Sequence, residues 1–232
     1  MRLLTLTVLA CIISIPAWAQ LRVSEEEKAV FAFFQLGERV PNYDEWIFSL
    51  EDYKTAPEDL QEDLYHMHDT RLKWGFGTYN HKEDFLKITT KSELFVTEKD
   101  SKYMLHFRFP GSEGEEYPYF PYQYREDWIA LVVNDLGRFT SIPITQQQYE
   151  GLKPFLKDQQ TIKTKMRMRV RPLNADFEKP LLIDDNYFWV MTGDIAYLGF
   201  ETENTQTPQT LYNYTAPWYL TDTEAELLEL LQ

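Results

Sequence analysis

The chain has 232 residues, of which 44% are hydrophobic and 26% are charged. A chain of this length and composition can bury a substantial core, which excludes a disordered or fibrous protein. Its formal net charge of −14 argues against a protein that coats nucleic acid, because binding to a phosphate backbone requires a positive field.

The first twenty residues have the pattern of a secretory signal peptide. One cation precedes an apolar run over residues 3–15, and Ala17 and Ala19 are small residues at the positions that a signal peptidase reads. The run is too short to span a bilayer as a helix. We therefore expect residues 1–19 to be a signal peptide, with cleavage between Ala19 and Gln20, and the protein to be periplasmic or secreted.

The only cysteine, Cys11, lies inside this segment. Its surroundings loosely resemble a bacterial lipoprotein cleavage site, but the apolar segment before it is very short, so lipidation is the less favoured interpretation. Cleavage after Ala19 leaves a mature chain of 213 residues without a thiol. Disulfides, thiolate metal sites and cysteine nucleophiles are then excluded. An exported domain without disulfides is more typical of a bacterial periplasm than of an animal extracellular space.

Residues 24–75 predict a group of three helices. A capping-box pattern begins at Ser24, before a very apolar run. Asn42 is a good amino-terminal cap for a second helix, and Pro57 suits the first position of a third. We expect the third helix to stop at Gly75.

From about residue 84 the hydrophobic period changes to two, which is typical of strands. The predicted strands are Phe85–Thr89, Glu93–Thr97, Lys102–Phe109, Trp128–Val133, Phe139–Ile144, Thr161–Arg171, Lys179–Ile183 and Tyr187–Phe200. A capping box at Thr145 predicts an inserted helix, and another at Thr221 predicts an amphipathic carboxy-terminal helix over residues 221–231.

Helices grouped before strands predict an α+β fold. We expect amino-terminal helices over about 24–75, a mostly antiparallel sheet in a β-rich part over about 84–201, one inserted helix and a carboxy-terminal helix. Residues 20–232 are predicted to form a single domain, because no linker is long or biased enough to mark a boundary.

One strand concentrates positive charge on one side. Successive strand side chains point to opposite faces, so the cations of the strand from Thr161 to Arg171 project together while a mostly apolar set faces the core. These cations form a ladder roughly 26 Å long, made of Lys163, Lys165, Arg167, Arg169 and Arg171. Lys102, His106 and Arg108 share a parity on another predicted strand and could continue the same face.

The charge is also segregated along the chain. Residues 24–69 hold 13 acids and 3 bases, and residues 172–232 hold 11 acids and 1 base. Residues 70–171 hold 17 bases and 13 acids, so the central part alone is net positive. A positive region inside an acidic chain has two interpretations. In the first, which is favoured, acidic neighbours neutralise the cations, or the cations protect an exposed sheet edge against pairing with other chains. In the second, the region docks an anionic ligand or partner, such as a phosphorylated glycolipid, an acidic lipid headgroup or an acidic protein.

A second feature is an aromatic loop, predicted within residues 111–124 because prolines and rings alternate there. The rings are either a platform for sugars or proline-rich ligands, or side chains that pack over the end of the sheet, and packing is favoured. Its tyrosines are Tyr117, Tyr119, Tyr122 and Tyr124.

No metal, cofactor or catalytic signature is found. His66 and His68 diverge by about 200° on a helix, which is poor geometry for one metal, and the chain contains no nucleophile elbow, Walker loop or dinucleotide-binding fingerprint. We therefore predict no cofactor, no catalytic residue and an exported binding or envelope accessory protein, with a glycan-directed hydrolase as the alternative, since two carboxylates can meet only in the fold.

Overall fold

The computed structural model describes residues 22–100, 102–109, 119–156, 161–183, 185–203 and 208–220. Within these residues the chain forms five α-helices and one eight-stranded, mostly antiparallel sheet, so the α+β prediction is confirmed. The predicted signal peptide with its Ala19–Gln20 cleavage site, Cys11, Tyr117 and the predicted helix 221–231 lie outside the described residues.

Four helices come first: α1 Glu25–Leu36, α2 Tyr43–Ser49, α3 Glu51–Lys54 and α4 Glu58–Thr78. The capping box at the start of α1 is present: the Ser24 hydroxyl accepts from the Glu27 amide at 3.1 Å, and the Glu27 carboxylate accepts from the Ser24 amide at 2.8 Å. The side chain of Asn42 likewise caps α2. These side chains satisfy amide groups that the first turn of a helix leaves without a partner.

The prediction that the third helix stops at Gly75 is wrong, because α4 continues to Thr78. Gly75 lies where α4 crosses α1, and a Cβ atom there would come within 2.7 Å of Val23 and 2.9 Å of Phe31. The glycine is therefore required by close helix packing, and not by a turn in the chain.

The strands are β1 Leu86–Lys99, β2 Lys102–Arg108, β3 Tyr119–Tyr124, β4 Asp127–Val133, β5 Ser141–Ile144, β6 Thr161–Ile183, β7 Asn186–Thr202 and β8 Thr210–Thr215. Their order in the sheet is β3-β4-β7-β6-β1-β2-β5, and β8 pairs with β7 next to the end of β4. The pair β4–β7 is parallel, whereas the other pairs described are antiparallel. The helix α5 Gln146–Leu156 lies at the position predicted for the inserted helix.

Several predicted strand boundaries are corrected by the pairing. The two strands predicted at 85–89 and 93–97 are one strand, β1, because Thr90, Lys91 and Ser92 stay in register with β6. Similarly, β6 runs from Thr161 through the strand predicted separately at 179–183. The carboxy-terminal strand β8 was absent from the sequence-based prediction, and the strand predicted to start at residue 139 starts at 141 after a short 3-10 helix.

The core lies between the amino-terminal helices and one face of the sheet. Helix α1 has a continuous buried stretch, Ala29–Phe33, and contacts β6, β3, β1 and β4. The face of β6 toward this core consists of Ile162, Thr164, Met166, Met168 and Val170, all at most 8% exposed. The helical layer therefore covers one face of the central strands and leaves the other to solvent.

Candidate cationic face

The two faces of β6 differ as the alternation predicts. Lys163, Lys165, Arg167 and Arg169 are exposed and Arg171 is partly exposed, whereas the residues between them are buried. A strand with period-two burial has one face in the core and one in solvent. The ladder of cations is therefore on the open side of the sheet.

The register extends this positive surface to neighbouring strands. On β1, Lys87 lies opposite Arg169, and Lys91 lies opposite Lys165. Glu93 of β1 faces both Lys163 of β6 and Arg108 of β2, which places the cations of β2 on the same side of the sheet. His106 stacks on Phe95 there, with ring centroids 4.8 Å apart.

We call this surface, formed by the open sides of β2, β1, β6 and the adjoining part of β7, the cationic face. Ten bases belong to it: Lys87, Lys91, Lys99, Lys102, Arg108, Lys163, Lys165, Arg167, Arg169 and Arg171. Of the described acids, Glu93, Asp176, Asp194 and Glu201 lie on the same open sides of these strands, and Glu203 lies at the margin. Among the residues that the structure describes, positive charge is therefore in excess on this face.

The five cations of β6 have different partners. Arg167 forms an ion pair with Glu201 at 3.0 Å. Arg169 donates a hydrogen bond to the hydroxyl of Tyr219, and the guanidinium of Arg171 lies 3.8 Å from the ring centre of Trp218. Aromatic contacts orient these arginines without neutralising them.

The lysines of the face are less compensated than the arginines. Among the described residues, neither Lys163 nor Lys165 forms an ion pair, although Glu93 lies opposite Lys163. Glu93 pairs instead with Arg108, at 3.6 Å. Of the five predicted cations on β6, Arg167 is thus the one with a carboxylate partner in the described part of the chain.

The acidic helices pack on the opposite side of the sheet, although Glu25 at the start of α1 reaches the edge of the face and accepts a hydrogen bond from the backbone amide of Lys87. Their acids pair locally: Glu25 with Lys28 at 2.7 Å, Asp69 with Lys73 at 2.7 Å, and Glu27 with Arg71. The segregation of charge along the sequence therefore becomes a segregation across the thickness of the sheet.

Two cross-strand pairs on the face are electrostatically unfavourable. Lys91 lies directly opposite Lys165, and Lys87 directly opposite Arg169. Like charges that face each other across neighbouring strands destabilise a sheet, by an amount comparable to the roughly 0.2–1 kcal/mol that favourable pairs contribute. Acids lie close to both pairs: Glu201 faces Lys165 from β7, and Glu25, Glu83 and Asp84 line a groove beside Lys87 and Arg169.

A shallow groove lies at the first of these pairs. Its volume is about 450 Å³, and Lys91, Lys165 and Arg167 line it together with Thr89. Lysine and arginine side chains suit the oxygens of a phosphate or a carboxylate. The acids Glu201 and Glu203 line its other side.

The predicted aromatic loop is wrong for residues 119–124, which form β3. Tyr122 and Tyr124 are at most 8% exposed, and the Tyr124 hydroxyl accepts a hydrogen bond from the Asn42 amide at 3.1 Å. Burial is the main reason that the pKa of Tyr124 is raised. Tyr119 is half-buried and packs edge-on against Phe188. The pairing with β4 turns two of the rings into the core, so these tyrosines do not form an exposed platform.

The histidines have different environments. His66 is exposed, whereas His68 is buried, with Nε2 2.9 Å from Asp52 and Nδ1 3.0 Å from a guanidinium nitrogen of Arg71. In the described ranges no three His, Cys, Asp or Glu side chains lie close enough together to hold a metal ion. His68 therefore belongs to a structural network between α3 and α4.

Sequence reasoning missed five residues of the site. Lys87 belongs to a predicted strand but was not assigned to the positive surface, and Lys91 and Lys99 fell between predicted strands. Their odd-numbered spacing on β1 was the available signal. Trp218 and Tyr219 form a 3-10 helix after β8 and reach the face only through the pairing of β8 with β7, for which the sequence offers no local signal.

Among the described residues, no helix combines the length and apolar character needed to cross a membrane. No family model matches the chain, and neither the curated proteins nor the solved structures include a significant match. The assignment of function therefore rests on the geometry of the cationic face.

Proposed function

We propose that this protein is an exported, non-catalytic binding protein that docks on a membrane surface of phosphate-bearing lipid headgroups through the cationic face. The observation that carries the proposal is the excess of bases on an open sheet face, including the opposed lysines Lys91 and Lys165. An anion between two such lysines relieves their repulsion, so binding adds to the compensation that Glu201, opposite Lys165 on β7, provides.

The shape of the face favours a surface over a single small ligand. Four strands span about 14 Å and the ladder on β6 extends roughly 26 Å, so several headgroups fit beneath it at once. Each Lys or Arg near an anionic membrane surface contributes about 1 kcal/mol. Many modest contacts thus add up without a deep pocket.

One edge of the face also carries aromatic side chains. Trp218, which is 42% exposed, lies beside Arg171, and Tyr219 lies beside Arg169. Tryptophan and tyrosine combine an apolar ring with a polar group and are enriched where proteins meet the membrane–water interface. An acidic protein partner would also bind the cations, but it would not explain why a tryptophan is exposed beside them.

The distribution of charge orients the molecule. The helical layer, with 13 acids and 3 bases over residues 24–69, lies on the far side of the sheet from the cationic face. An anionic surface attracts one side of the molecule and repels the other, so docking is directional and weakens as salt screens it.

The test compares charge reversal on the two sides of the sheet. The protein is mixed with phosphatidylcholine vesicles that contain phosphatidylglycerol, and the bound fraction is measured by flotation at increasing salt. We expect Lys91→Glu/Lys165→Glu to weaken binding at least about thirtyfold. The matched control, Lys54→Glu/Lys82→Glu, changes net charge equally at exposed positions outside the cationic face, and we expect it to bind nearly as the unaltered protein does.

Equal losses of binding in both double variants would show that only net charge matters. Unchanged binding in Lys91→Glu/Lys165→Glu would show that the cationic face is not the binding surface. Either result overturns the proposal. If the protein does not bind the vesicles but binds poly-glutamate through the same lysines, its partner is an acidic protein and not a lipid surface.

A further inference from the structure

A second groove opens at the other end of the cationic face. It lies between the start of α1, the end of α4 and the start of β1, and its volume is about 630 Å³. That volume falls within the roughly 300–1,000 Å³ typical of sites for small molecules. It is therefore large enough to hold a sugar ring.

The groove is continuous with the cationic face. Lys87 and Arg169 line it and are also cross-strand partners on the face. They lie four residues along the strands from Lys91 and Lys165, which corresponds to about 13 Å. A ligand whose phosphate binds between Lys87 and Arg169 can extend directly into the groove.

The walls of the groove combine an exposed indole with carboxylates. Trp74 on α4 is 49% exposed, and Glu83 and Asp84 are exposed on the turn before β1. The apolar face of a sugar ring stacks on an aromatic ring, and carboxylates accept hydrogen bonds from its hydroxyl groups. This combination of a ring with carboxylates suits a sugar, whereas the cations of the cationic face suit phosphate oxygens.

The lining is held in place by local hydrogen bonds. The carboxylate of Asp84 accepts from the Asn80 amide at 2.8 Å, which fixes the turn. Glu25 accepts from the backbone amide of Lys87 at 3.0 Å and so ties α1 to the start of β1. A site with a fixed lining loses less conformational freedom when it binds.

We infer that this groove binds the phosphorylated sugar of a glycolipid headgroup, with Trp74 stacked on the ring and with Lys87 and Arg169 on its phosphate. The inference rests on the proposed function and narrows its lipid to a phosphorylated glycolipid. Glu83 and Asp84 accept from the sugar hydroxyls, which a phospholipid headgroup without a sugar does not offer in the same arrangement.

Vesicles containing lipid A, a phosphorylated glycolipid, are compared with phosphatidylglycerol vesicles of equal phosphate content. We expect the protein to bind the lipid A vesicles about tenfold more tightly. Trp74→Ala should remove this preference while leaving phosphatidylglycerol binding unchanged, and Trp74→Phe should restore much of it. The control is Phe48→Ala, because Phe48 is also 49% exposed but lies on α2.

A soluble probe separates this inference from the proposed function. Glucose 1-phosphate should shift the indole resonance of Trp74 in the full protein, whereas glucose or inorganic phosphate alone should shift it much less. If the protein binds phosphatidylglycerol with no preference for lipid A, and glucose 1-phosphate causes no shift, the inference about the groove is wrong while the proposal for the cationic face stands. If glucose 1-phosphate shifts the Trp74 resonance but the protein binds no vesicles, the groove is a sugar phosphate site and the membrane proposal is wrong.

Discussion

The two sides of the central sheet use the same strands for different purposes. On the side covered by α1, the residues of β6 are buried in an apolar core. On the open side, the alternate residues from Lys163 to Arg171 are charged, and in the described part of the chain Arg167 is the one paired with a carboxylate. A net charge of −14 therefore describes neither side, because the acids of the helical layer and the bases of the cationic face are separated by the sheet itself.

The largest expected difference between the two sides is in stability. Met166 is fully buried on the covered side, so Met166→Ala should lower the free energy of unfolding by about 2–5 kcal/mol. Its neighbour Lys165 points the other way, and Lys165→Ala should change it by no more than about 0.5 kcal/mol. Urea unfolding of both variants measures the contrast. A comparable loss in Lys165→Ala would mean that the open side is covered in solution.

A smaller effect is expected from a polar pair on the covered side. The hydroxyls of Ser92 and Thr164 lie 2.6 Å apart and both residues are buried. Thr164→Val leaves the Ser92 hydroxyl without its partner, at a cost of about 1–3 kcal/mol. The double variant Ser92→Ala/Thr164→Val removes both groups and should be more stable than the sum of the single effects predicts.

A double-mutant cycle from denaturant unfolding tests this coupling. Additive effects would show that the two hydroxyls do not depend on each other. The companion single variant, Ser92→Ala, controls for the loss of the smaller side chain.

The Ser92–Thr164 pair also shows which part of the fold could be predicted from the sequence. The alternation in Thr161–Arg171 was sufficient to place its cations on one side, because the apolar set of that strand is nearly unbroken. On β1 the core-facing positions include Thr90 and Ser92, which look polar in sequence, so the strand was divided in two and Lys91 was lost from it. Only the partner hydroxyl of Thr164, 72 residues away, makes Ser92 acceptable in the core.

The rest of the site depends on pairings between distant parts of the chain. The contact of Arg169 with Tyr219 spans 50 residues and requires β8, which was not predicted. The groove brings Trp74 of α4 next to Lys87 and Arg169, which share a surface only through the register of β1 and β6. Alternation assigns a residue to a face but does not identify its neighbour on the next strand.

The smallest expected effect also discriminates best between a structural and a functional role for the cationic face. Lys91→Glu converts a like-charge pair with Lys165 into a favourable one, so the protein should become more stable by roughly 0.2–1 kcal/mol, and this gain should shrink in high salt. The same substitution should weaken binding to anionic vesicles. Stability and binding then change in opposite directions, as expected where a site retains an unfavourable pair for function.

Denaturant unfolding and vesicle flotation of this one variant measure both quantities. Lys91 could instead have a structural role, such as protecting the sheet against pairing with other chains. In that case Lys91→Glu would leave binding to the vesicles unaltered. A variant that loses stability instead would show that Lys91 has an acidic partner in solution, and the face would then be neutralised within the molecule. Only a gain in stability together with a loss of binding fits a surface whose compensating charges come from outside the chain.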